Sequence, residues 1–315
     1  MAALPFGDMT KDDSENADYK GRRARHALTM VVLLAALAAV TTTAGAQAQP
    51  AVDELLSRVG DRIAEFYKRA QHVICIETSR VQPIDLTFSS RGFARIVESE
   101  LRVEAEDGEL AGEARVVREV LKVNGRVPRE KDKNNRDGCT DPNPLSTEPL
   151  SFLLQTHRSE YQFKAAGFAK ERNRPAFRID FASVNRKSTA ELIEDKQGHE
   201  DCFDWSGDIP ARGRIWVDAE SYDVLRVERS VGGPTSVRVP SRIQRRHNLD
   251  NYVVIMREDT TIRYRTVTFS DPDEVLLLPE SIDTLSVVSG GLQSTRRSQT
   301  YSDYKRFVGD SRVVE

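Results

Sequence analysis

The residues that could do chemistry are few. Four histidines follow residue 48: His72, His157, His199 and His247. His199-Glu-Asp-Cys202 has ligand-like spacing, and Cys139 with His157 would complete a zinc tetrahedron. An oxidising compartment favours a disulfide over that metal, so no metal site is assigned. Carboxylates gather at Asp201, Asp204, Asp208, Asp218 and Glu220, where solvation and turn chemistry account for them without a catalytic pair. No Gly-x-Ser-x-Gly elbow, no Gly-x-Gly-x-x-Gly fingerprint and no phosphate-loop lysine occurs. The chain reads as a non-enzyme with no cofactor. An unrecognised hydrolase is the lesser alternative, because triads are set by geometry and not by spacing.

The 315 residues are 39% hydrophobic and 30% charged, the balance of a soluble protein with a solvated surface. A net charge of -3 argues against a nucleic-acid partner, which calls for a basic excess. Residues 1–48 read as a leader and signal peptide. Arg22, Arg23 and Arg25 precede an apolar run from Leu28 to Val40, and Ala44-Gly-Ala46 and Ala46-Gln-Ala48 fit a cleavage site. The run is shorter than the ~20 residues a span needs, so the mature chain is expected to be periplasmic or secreted. The alternative is an N-terminal anchor facing the periplasm. Export then favours a Cys139–Cys202 bridge between two polar loops, with Cys75 a buried thiol in the apolar run His72 to Ile76.

These groups must be positioned by a β-rich body, expected as one domain over residues 49–315. Ala51 to Ala70 places Val52, Leu55, Leu56, Val59, Ile63, Phe66 and Tyr67 on one helical stripe. Thereafter the period is 2. The plainest example is Arg212 to Arg229, a hairpin whose turn, Asp218 to Asp223, is supplied with Asp and Ser that bond their own backbone. About ten antiparallel strands are expected, with a short helix or apolar turn at Glu148 to Gln155 and polar loops at Arg129 to Thr147 and Asn185 to Pro210. The basic clusters Arg242 to Arg246 and Arg296-Arg297 read as a charged outer strand face or edge. One helix and one short turn are too little cover for such a sheet, which must curl, leave a groove or meet a partner.

The order of elements resembles the periplasmic lipoprotein-carrier superfamily (LolA/LolB-like) and its uncharacterised exported relatives. The resemblance is carried by Pro149 to Leu154, by Ile215-Trp-Val-Asp-Ala-Glu-Ser-Tyr-Asp-Val-Leu-Arg-Val-Glu, by Leu278-Pro-Glu-Ser-Ile and by Tyr301-Ser-Asp-Tyr. It implies a mainly β (α+β) fold, a single curved antiparallel sheet forming an unclosed β-barrel, with helices on its concave side. It also implies a hydrophobic or amphipathic ligand there, lipid or lipoprotein acyl chain. Phe152, Leu153, Leu154, Trp216, Leu225 and Val227 are the expected lining. An envelope protein taking the groove or a sheet edge is the alternative partner.

Overall fold

The computed structural model describes residues 51–70, 72–105, 114–129, 148–194, 203–231, 233–270 and 273–306. Residues 1–48, Cys139, His199 and Cys202 lie outside them, and with them the export signal, the zinc alternative and the disulfide.

Helix α1 spans Val52–Ala70, one residue short of the sequence reading. Asp53 and Glu54 occupy its first turn and Lys68 and Arg69 its last, the placement its dipole favours. Its stripe is buried through Leu55, Leu56, Val59, Ile63 and Tyr67. The expected short helix is a 3-10 turn, Glu148–Leu153.

Thirteen strands follow in one sheet: β1 (Val73–Pro83), β2 (Arg95–Ala105), β3 (Ala114–Val123), β4 (Tyr161–Glu171), β5 (Arg174–Ser183), β6 (Glu191–Glu194), β7 (Phe203–Ser206), β8 (Ala211–Asp218), β9 (Val224–Val231), β10 (Thr235–Arg238), β11 (Tyr252–Ser270), β12 (Asp273–Ser289) and β13 (Thr295–Arg306). The main path runs β3-β2-β1-β13-β12-β11-β9-β8-β5-β4, and β10, β6 and β7 branch from β11. Pairing is antiparallel except for one parallel contact between β10 and β6. Among the described residues the path never returns on itself, so β3 and β4 are edges and the barrel is unclosed.

The strand count exceeds the expectation because β6 and β7 form inside the stretch read as a polar loop. The basic cluster is corrected too. Ser241–His247 is a helix, α2, with Ile243 buried and Arg242, Arg245 and Arg246 exposed, and no strand edge. Arg246, Arg242 and His247 gather instead on Glu194 at 3.0, 4.0 and 3.4 Å.

The main core lies between α1, the 3-10 turn and one sheet face. It takes Leu150, Phe152 and Leu153 from the turn and Cys75, Leu101, Ile179, Ile215, Val217, Val227, Ile262, Leu278 and Ile282 from the strands. At roughly 1.5–3 kcal/mol for each large apolar side chain removed from water, this layer dominates stability. A satellite cluster, among it Leu192, Val237, Ile243, Val253 and Ile255, holds the β6–β7–β10 branch and α2 to the end of the sheet.

Candidate functional site

The face under α1 changes character along its strands, and register shows where. In one cross-strand row, Val227 faces Ile262, Ile262 faces Ile282, and Ile282 faces Gln299. One row on, Arg229 faces Thr260, Thr260 faces Thr284, and Thr284 faces Arg297. A further row pairs Glu258 with Ser286 and Ser286 with Thr295. Residues two apart on a strand share a face, so the inward surface is apolar beneath α1 and turns polar beyond it. Three strand spacings of ~4.8 Å separate the backbones of Arg229 and Arg297.

The helix layer stops short of these polar rows, and a crevice of about 360 Å³ opens there. That lies within the roughly 300–1,000 Å³ of small-ligand sites. Its floor is the polar pair of rows with Val227 and Ile262. One wall is Pro149, Ser151 and Phe152 from the 3-10 turn with Tyr161 of β4, and the other is Phe203, Asp204 and Trp205 of β7. Phe152 sits 5.5 Å from the Tyr161 ring and 4.6 Å from that of Phe181, a tilted aromatic cluster that fixes the first wall.

The electrostatics centre on Glu258. Arg229 Nη1 donates to its Oε1 at 3.4 Å, a long contact between side chains 39% and 12% exposed. Burial pushes the Glu258 carboxyl up, the Asp259 charge adds to the rise, and the Arg229 and Arg297 guanidiniums only partly oppose it. Tyr161 is likewise pushed up, chiefly by burial. The Thr260 and Thr284 hydroxyls lie 3.4 Å apart on the floor. The lining holds aromatic faces, hydroxyls and two cations around one desolvated carboxyl, which suits recognition of a ligand with both oily and polar parts.

The structure divides the expected lining. Phe152 and Val227 line the crevice. Leu153 is fully buried in the main core and Leu154 packs against it half-buried. Trp216 and Leu225 are corrected: they belong to a separate cluster with Ala176, away from the face of Ile215 and Val217. Trp216 alternates with its inward neighbours, and Arg226 stacks over its ring at 4.5 Å. Leu225 is displaced by a bulge, since Trp216 pairs with Arg226 but Val217 pairs with Val224. Of the histidines, His157 is exposed beside Glu160 at 3.1 Å, and His247 meets the Phe203 ring edge-on.

Arg229, Glu258, Thr260 and Thr284 went unread as site residues, and Arg297, read as part of an outer strand face or edge, is corrected to the crevice floor. The available signal was the period itself: counting back by twos from Ile262 reaches Thr260 and Glu258, both inward.

Neither a protein-family model nor a curated protein sequence matches the chain. Among solved structures the chain is similar to a LolA superfamily protein from Nitrosomonas europaea, at 9% identity and a TM-score of 0.31 over 81% of this chain and 97% of that one. It is similar to a putative outer membrane lipoprotein-sorting protein domain from Vibrio parahaemolyticus at 12% identity, TM-score 0.30, covering 80% and 94%. It is also similar to a DUF1329 family protein from Desulfovibrio piger at 11% identity, TM-score 0.38, covering 82% and 95%.

Proposed function

We propose that the protein is an exported, non-enzymatic binding protein for an amphipathic ligand, lipid or lipoprotein acyl chain, held in the crevice on the concave face. The observation that supports this reading is the adjacency of the apolar and polar rows. Val227 and Ile262 adjoin Arg229, Glu258, Thr260 and Arg297 on the floor of one crevice, between aromatic walls. A ligand with an oily chain would bury it against Phe152, Val227 and Ile262 and leave its polar end among the hydroxyls and guanidiniums.

The test is binding of a dansylated fatty acid to delipidated protein, with mass spectrometry of whatever the native protein carries from cells. Thr260→Trp fills the floor and is expected to lower probe affinity by about tenfold or more, consistent with loss of a site of this size. No saturable binding, together with nothing copurifying, overturns the reading.

A second reading is an envelope interaction module. Among the described residues the edges β3 and β4 each pair on one side only, so an extended segment could add to either. One stoichiometric protein partner and no bound lipid would favour it.

A further inference from the structure

Ten large hydrophobic residues are strongly exposed among those described, and half of them, Leu86, Phe88, Phe93, Ile96 and Val127, fall in just two segments, 84–96 and 122–129. Phe93 is 98% exposed, Val127 81% and Leu86 67%, so nothing in the described structure covers them. The two segments form one end of the sheet. The Asn124 amide donates to Ile96 O at 2.7 Å, and the Ile96 amide to Asn124 Oδ1 at 2.8 Å. Asn124-Gly125 turns β3 away here with both residues at positive φ, as a tight turn requires.

Charge at this end runs against that of the chain. The same segments carry Arg91, Arg95, Lys122, Arg126 and Arg129 against a single acid, Asp85, in a protein of net charge -3; of these Lys122 is paired with Glu98 at 2.7 Å, just beyond the first segment. Asp85 is spent inside its own loop, accepting from the Thr87 amide at 2.9 Å, the Thr87 hydroxyl at 2.7 Å and the Ser89 amide at 3.0 Å. Those bonds shape the loop that presents Leu86 and Phe88. Phe88 takes a φ of 65°, a left-handed conformation costly for a bulky residue, and Arg257 lies 5.8 Å from its ring.

From this we infer that the loop 84–94 and the turn at Asn124-Gly125 form a tip that docks on an anionic lipid surface. The apolar side chains would enter the headgroup boundary and the surrounding basic residues would meet lipid phosphates. A protein interface core is instead a closely fitted contiguous patch, whereas here single apolar residues stand out from turns among cations. The tip adjoins the crevice floor: the Ile84 amide donates to Ser294 O at 3.0 Å, next to Thr295 of the polar row. Docking by this end would bring the crevice close to the membrane. The inference stands on different residues from the proposed function and does not require it.

The test is co-sedimentation of the exported protein, purified as cells make it, with vesicles of phosphatidylcholine alone or of equimolar phosphatidylcholine and phosphatidylglycerol. Preferential binding to the anionic vesicles, weakened by added salt, is expected. Phe93→Ser with Val127→Ser should lower the partition coefficient by about tenfold or more, the scale of withdrawing two apolar side chains from lipid. Arg91→Glu should reduce only the anionic preference. All three positions are exposed, and an unchanged thermal melt confirms the variants fold. Equal binding to both vesicle types, or binding unmoved by the variants, overturns the inference. If the variants instead abolish a stoichiometric envelope protein partner while vesicle binding persists, the tip is a protein contact and the lipid assignment falls.

Discussion

Gly60 leaves room for the guanidinium of Arg158: a Cβ at residue 60 would stand 2.8 Å from Arg158 Nη2. That nitrogen donates to Leu56 O at 2.7 Å and to Leu153 O at 3.0 Å, tying α1 to the 3-10 turn. In an ordinary helix, Gly to Ala gains roughly 0.5–1 kcal/mol. Here it displaces a cation from two carbonyls, at roughly 1.5–3 kcal/mol for each bond to a charged group. The second effect is larger, so Gly60→Ala is expected to destabilise by about 2–5 kcal/mol. In an Arg158→Ala background the obstacle is gone and the same change should stabilise. Urea denaturation of the four proteins checks the reversal of sign.

Glu77 is 1% exposed and answered from three directions. Arg118 donates through Nε at 2.7 Å and Nη2 at 3.3 Å, Gln299 at 2.8 Å and the Tyr301 hydroxyl at 3.1 Å. Arg118→Met strands a buried carboxylate and should cost about 3–5 kcal/mol. Adding Glu77→Gln keeps an acceptor for Gln299 and Tyr301 without the charge, and most of the loss should return. A double variant no more stable than Arg118→Met would refute this account.

The hairpin turn is tied by Asp218, whose Oδ1 accepts the Glu220 and Ser221 amides at 2.9 Å each while Arg174 meets Oδ2 at 2.8 Å. Burial would raise this carboxyl, but the two amides and the guanidinium outweigh it and hold it below the ordinary aspartate value. A depressed folded value adds stability above the unfolded one and loses it on acidification. Asp218→Asn is therefore expected to cost about 1–2 kcal/mol at neutral pH. The penalty should shrink in strong acid, as read from melts across pH.

Glu258 has the opposite sign. Its folded value is raised, so the folded state holds the proton more tightly and stability falls as pH rises above the ordinary glutamate value. Glu258→Gln should stabilise the protein relative to wild type more in mildly alkaline than in mildly acidic buffer. A pH-independent difference would show that desolvation does not dominate this carboxyl.

Burial, and next the Glu77 charge, push the Cys75 thiol up to about 12. Native protein is expected to leave Cys75 unalkylated at neutral pH, with reaction tracking global unfolding. With a Cys139–Cys202 bridge in place, denatured unreduced protein would yield one thiol per chain, and three thiols would exclude the bridge.

Local rules written in the sequence determined α1, the Asp218 turn and most of the strands. Amphipathic spacing and Asx chemistry act within a few residues, and no distant contact overrode them. Tertiary structure decided which side chains face the crevice. A bulge between Trp216 and Val217 displaced Leu225. One inserted residue reverses the facing of all that follow, and nothing in composition marks it. Nor does alternation alone distinguish a polar row facing water from a polar row facing an uncovered interior. That difference arises only where α1 ends over the sheet and the β6–β7 branch comes to rest beside it.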